Sequence, residues 1–198
     1  MKIIRFPLTL AAGCLAILAT TAFAHPGHGA DGFSAGLAHP LSGVDHLLTM
    51  LAIGIWAAQL GKRATWLIPA TFLSFMLIGA ALAFTGLQLS ATAIDQAIAT
   101  SLLLVGLLVT FTFRMPTSAG ASLAALFATF HGYAHGAELR AGLSATSYLA
   151  GFALTTASLL LAGIALAILF TRLNKPLVIR FAGLACMTIA LLLLGGVL

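Results

Sequence analysis

Charge is scarce in this chain: 7% of its 198 residues are Asp, Glu, Lys or Arg, and only 4 are acidic. Soluble domains average ~25% charged and ~45–50% apolar residues, whereas 61% here are hydrophobic and the mean hydropathy is +1.13. This balance excludes a water-soluble globular domain and points to a polytopic membrane protein. The net charge of +5 does not mark a nucleic-acid binder, because the basic residues stand singly or in pairs between apolar runs and form no patch. Cysteine is equally sparse. Cys14 falls in a leader expected to be removed, so the mature chain has no disulfide, and Cys186, alone in an apolar run, is expected to serve packing. There is no Gly-x-x-x-x-Gly-Lys-Ser/Thr motif, so the chain does not hydrolyse ATP by that route.

What is present reads as an all-α, polytopic membrane helix bundle. Residues 1–24 open with Lys2 and Arg5, continue through an apolar core and end in Ala22-Phe23-Ala24, the pattern of a cleavable signal peptide. Residues 25–39 then form a His-rich N-terminal segment in which the new terminal amine, His25, His28 and Asp31 can collect a divalent cation; a flexible polar tail is an equal reading. Residues 40–198 hold six apolar spans, at about 40–60, 66–84, 93–113, 117–138, 144–171 and 176–198. Pro40 suits the first turn of the first span, which at 1.5 Å per residue reaches about 31 Å. Trp66 reads as an interfacial anchor. In the fourth span Gly120, Ala124, Ala128, Gly132 and Gly136 recur every four residues, a ridge suited to close approach by a neighbouring helix. Spans five and six carry little beyond a few Thr and Ser.

Against this background two polar clusters stand out. In Phe130-His131-Gly132-Tyr133-Ala134-His135-Gly136-Ala137-Glu138, the side chains of His131, His135 and Glu138 fall within about 60° on one helical stripe. In the first span His39, Gly43, His46 and Met50 share a stripe, while Asp45 lies about 100° from His46 and reaches a common ion only if the helix is distorted near Pro40 and Gly43. Asp45 otherwise serves to orient a ligating imidazole. Ionisable groups at membrane depth are costly and usually functional. Asp95, early in span three, is an auxiliary candidate ligand, or an acid placed to suit the helix dipole.

Six spans entered from outside put Lys62, Arg63, Arg114, Arg172, Lys175 and Arg180 on the cytoplasmic side and only Arg140 opposite. All six histidines and all four acidic residues then fall in the outer half. Antiparallel first and fourth spans place His39 level with Glu138, and His46 with His131 deeper in. Imidazole with carboxylate suits borderline divalent ions such as nickel, cobalt or zinc. Two levels of ligands form a ladder for an entering cation. The same residue types also allow an intramembrane zinc-dependent hydrolase, although no Glu follows His131 to supply a His-Glu-x-x-His base, and a metal-free proton relay.

His39-Pro40-Leu41-Ser42-Gly43-Val44-Asp45-His46 resembles the His-Pro-x-x-Gly-x-Asp-His signature of the HupE/UreJ family, and Phe130 to Glu138 is similar to its Phe-His-Gly-x-Ala-His-Gly-x-Glu signature. The resemblance implies a nickel or cobalt permease of the bacterial inner membrane, not an enzyme, that supports hydrogenase, urease or cobalamin pathways. It assigns metal binding to His39, Asp45, His46, His131, His135 and Glu138, and Asp95 stands where the family often has Glu. The expected partners are the transported divalent metal and membrane lipid, with a cytosolic metallochaperone as candidate receiver. No permanently bound cofactor and no nucleic acid are expected.

Overall fold

The computed structural model describes residues 32–61, 63–139 and 142–197. The leader and the candidate ligands His25, His28 and Asp31 lie outside the described residues. The described chain is all-helical: α1 (Gly32–Ser42), α2 (Val44–Leu60), α3 (Ala64–Ala83), α4 (Ala91–Thr110), α5 (Thr117–Ala137), α6 (Ala145–Arg172) and α7 (Pro176–Leu194). The last five lie within a few residues of the expected segments. Local sequence explains their ends: Pro176 opens α7 where its missing N–H costs no hydrogen bond, and Ser144 caps α6 by accepting from the Ser147 amide at 3.4 Å.

The first expected span differs. A single helix starting at Pro40 is not found; α1 begins at Gly32, contains Pro40 and ends at Ser42, and α2 starts after a bend of 81°. Gly43, extended at φ −103°, ψ 122°, is the joint. The Asp45 carboxylate and the His46 ring fold back over it, so a Cβ at Gly43 would lie 2.8 Å from Asp45 Oδ1 and 3.1 Å from His46 Nδ1. His39 and His46 therefore do not share a stripe along one helix. The bend brings them together.

Helix α2 forms the centre. It is buried without interruption from Ala52 to Ala57 and packs against α1, α3, α4, α6 and α7, as expected of a helix apolar on all sides. Around it, α3 lies along α5, α4 along α7, and α1 along the first half of α6. Small residues set the α3–α5 spacing: all five residues of the Gly120 to Gly136 ridge are buried, and a Cβ at Gly132 would collide with the Met76 carbonyl, as one at Gly79 would with that of Thr129. Cys186 is a free thiol in the core cluster.

Four helices, α3, α4, α6 and α7, are long and apolar enough to cross a membrane, and α1 with α2 meets the same test as one broken span. Helix α5 has the length but is diluted by Gly, Ser and two histidines. Leu, Ile, Val and Phe side chains are exposed along the outer helices, including Leu154, Leu161, Phe181 and Leu191, the surface expected of lipid-facing helices. Trp66 is exposed on the first turn of α3.

The two ends of the bundle differ in charge. Gln59 in the last turn of α2 reaches the Val109 carbonyl near the end of α4, and Gly120 at the start of α5 lies beside Trp56 and Leu60. Arg63, Arg114, Arg172, Lys175 and Arg180 thus share one end. His39, Asp45, His46, His131, His135 and Glu138 occupy the other.

Candidate metal site

Four imidazoles from three helices meet at the acidic end. His39 comes from α1, His46 from the first turn of α2, and His131 and His135 from successive turns near the end of α5. His135 sits between the others, with ring centroids 4.6 Å from His39 and 4.3 Å from His46, and His46 is 5.1 Å from His131. The outer level is closed by Glu138, just past the end of α5, whose Oε2 accepts from His39 Nε2 at 2.9 Å and lies 3.9 Å from His135 Nδ1. One ligand atom from each of His39, His135 and Glu138 can be chosen so that all lie within 4.8 Å of one another.

Hydrogen bonds decide which nitrogens are free. His131 Nδ1 is 2.9 Å from the Phe127 carbonyl, an acceptor only, so Nδ1 carries the proton and the lone pair resides on Nε2. His46 Nδ1 donates to Asp45 Oδ1 at 2.9 Å, again leaving the lone pair on Nε2. Both Nε2 atoms, and both nitrogens of His135, are buried without a hydrogen-bond partner within the protein. Leaving such groups unpaired costs ~1–3 kcal/mol each. His39 differs, since its Nε2–H is given to Glu138; an ion bound between the two would displace that proton. The Glu138 carboxyl is held below its usual range, chiefly by this hydrogen bond.

His39 pairs with Glu138, and the His46 ring faces that of His131. Asp45 hydrogen-bonds to the cluster through His46, accepting from its backbone amide and its Nδ1. Asp95 is exposed near the start of α4 and makes no hydrogen bond or ion pair to the cluster.

Comparison with known proteins decides the kinship. The profile described as HupE / UreJ protein matches residues 13–193. This chain belongs to the HupE/UreJ family. It is 42% identical over 183 residues to Protein HupE of Rhizobium leguminosarum bv. viciae, covering 92% of this chain and 93% of that relative. No solved structure matches.

In this HupE/UreJ protein, α6 supplies a wall that the sequence pattern did not reveal. The Phe152 ring lies 4.2 Å from that of His135, and Tyr148 stacks nearly parallel on Phe152 while meeting His39 at 5.8 Å. Tyr148 and Phe152 stand one turn apart, a spacing any apolar helix supplies. From α3, Phe72 packs 5.8 Å from His131 and closes the inner side.

Proposed function

We propose that this protein is a secondary transporter that imports a divalent transition metal, nickel or cobalt with zinc also accommodated, across the bacterial inner membrane. The observation that carries the reading is the pair of buried, unpartnered Nε2 lone pairs on His46 and His131, with His135 between that pair and the outer His39–Glu138 pair. Mixed imidazole and carboxylate donors suit these ions, and the family kinship agrees with them. His39, His135 and Glu138 receive the cation; His46 and His131 take it one turn deeper, with Asp45 orienting His46.

In this reading residues 1–24 are a signal peptide, residues 25–39 lie at the periplasmic face, and the mature N-terminus is periplasmic. The bent α1–α2 pair and α5 join the four long apolar helices to make six spans, and the basic end faces the cytoplasm by the positive-inside tendency. His25, His28, Asp31 and Asp95 remain auxiliary ligands in the proposal, gathering cations ahead of the buried cluster. A cytosolic metallochaperone is a candidate receiver.

A zinc hydrolase is less well supported, because Gly132 follows His131 where a His-Glu-x-x-His site has its general base. Asp45 or Glu138, hydrogen-bonded to His46 and His39, would have to substitute for it.

The test is accumulation of labelled nickel and cobalt by cells expressing the protein or its His131→Ala variant at equal protein level, with and without a protonophore. The variant is expected to fall to the empty-vector level. Uptake equal to that of the unsubstituted protein would overturn the assignment.

A further inference from the structure

The histidine cluster is not the end of the unpartnered polar atoms. Of the buried hydroxyls among the described residues, Ser101 donates to the Ile98 carbonyl and Thr155 to that of Leu37, but Tyr148, beside the histidines, and Thr49 and Thr156 have no partner. Thr49 lies one turn past His46 on α2. Further along the same helix, Trp56 Nε1 and Gln59 Oε1 are also buried and unpartnered, although the Gln59 amide donates to the Val109 carbonyl at 3.1 Å. From His46 to Gln59 the rise is about 20 Å, most of the hydrocarbon thickness. Around the helix His46, Thr49 and Trp56 lie within about 80°, with Gln59 roughly 60° further in the same sense.

Buried polar groups in proteins are nearly always satisfied, and helical Thr and Ser have an easy partner in the carbonyl one turn back. Thr65, Thr110, Thr129 and Thr171 all use theirs. A row of exceptions on one face of the central helix, running from the ligand cluster to the basic end, has one economical explanation: water or a hydrated ion completes it.

We propose that the α2 face bearing Thr49, Trp56 and Gln59, joined by Thr156 of α6, is the inner half of the ion's route, a track that wets when occupied and carries the cation with its own waters from His46 and His131 to the basic end. This inference rests on the import reading above and extends it. The donor types fit release. Hydroxyl and amide oxygens hold nickel or cobalt more weakly than imidazoles do, and the indole N–H binds no metal but donates to a water in the cation's shell. Conduction requires such a fall in affinity, so that an ion taken up strongly at the mouth can leave. Thr156, one turn beyond the Phe152 ring that lies on His135, is placed to serve the first step below the cluster.

The experiment compares Thr49→Val, Thr49→Ser and Trp56→Phe with the unsubstituted full-length protein, measuring nickel-63 uptake into proteoliposomes and equilibrium nickel binding in detergent. Valine keeps the volume of threonine and removes the hydroxyl. Its maximal uptake rate is expected to fall roughly tenfold, the effect of one lost hydrogen bond to a charged species at the barrier, with the nickel Kd unchanged. Thr49→Ser should restore most of the rate, and Trp56→Phe should reproduce the loss. Hydroxyl-radical labelling of Trp56, a residue 0% exposed in the closed bundle, should appear with nickel present. Full-rate transport by both Thr49→Val and Trp56→Phe, loss of nickel binding together with uptake in Thr49→Val, or complete protection of Trp56 would each overturn this route while leaving the import reading standing. Failure of the unsubstituted protein to bind or move nickel would overturn both.

Discussion

Asp45 and His46 are neighbours in the chain, and a single carboxylate oxygen, Asp45 Oδ1, accepts from both the backbone amide and the Nδ1 of His46 at 2.9 Å each. The pair occupies the first turn of α2, directly after the joint at Gly43. One carboxylate oxygen thus satisfies a first-turn amide of α2 and fixes the imidazole tautomer, leaving the lone pair on Nε2 of a ring that lies against His131 and His135.

Asp45→Asn should disrupt this arrangement without changing its size. The amide can present a donor to Nδ1, which drives the imidazole proton to Nε2 and removes the lone pair from the cluster. Nickel affinity, measured by isothermal titration, is expected to drop roughly 10–100-fold, as for other groups that orient metal-binding histidines. Melting temperature should change little, and unchanged affinity would show that Asp45 does not set the tautomer.

Acid should suppress metal binding through the histidines, because a protonated imidazole has no lone pair to give. Glu138 does not set the threshold: His39 holds its carboxyl below the usual range, so this carboxylate stays ionised between pH 8 and pH 5. Nickel affinity measured from pH 8 to pH 5 is expected to decline, and an affinity constant over that range would show that no imidazole proton competes with the ion. The Glu138→Gln variant should bind more weakly throughout, with the decline in the same pH range.

Gly132→Ala places a methyl group against the Met76 carbonyl and should force α3 and α5 apart. Overpacking of this kind costs ~1–3 kcal/mol. The expected readout is a lower melting temperature in detergent, while Ser122→Ala, at an exposed position on the same helix, leaves it unchanged.

Tyr133 ties the α3–α4 loop to α5: its hydroxyl donates to the Leu87 carbonyl at 2.5 Å and accepts from the Leu89 amide at 2.9 Å. Tyr133→Phe removes both bonds, a loss of ~1 kcal/mol for each by general measure. Hydrogen exchange at the Leu89 amide should accelerate, whereas amides in the middle of α2 keep their protection.

The amino-acid sequence by itself determined the apolar helical character of the chain, the near boundaries of its last five helices, and the residue types at the mouth. These depend on local quantities: hydropathy summed over a window, glycine and proline as punctuation, and a helical period that puts His131, His135 and Glu138 on one stripe. The same period misled at the other motif, because it treated residues 40–60 as one straight helix and joined His39 to His46 along it. Gly43 permits a bend but does not compel one; packing of α1 on α6 and of α2 at the bundle centre decided that the chain turns there by 81°. The tertiary structure alone also decided that Tyr148 and Phe152 back the histidines, and that Thr49 lacks the partner that Thr129 has. Whether a buried hydroxyl is satisfied depends on every element around it, and that information lies in no window of sequence.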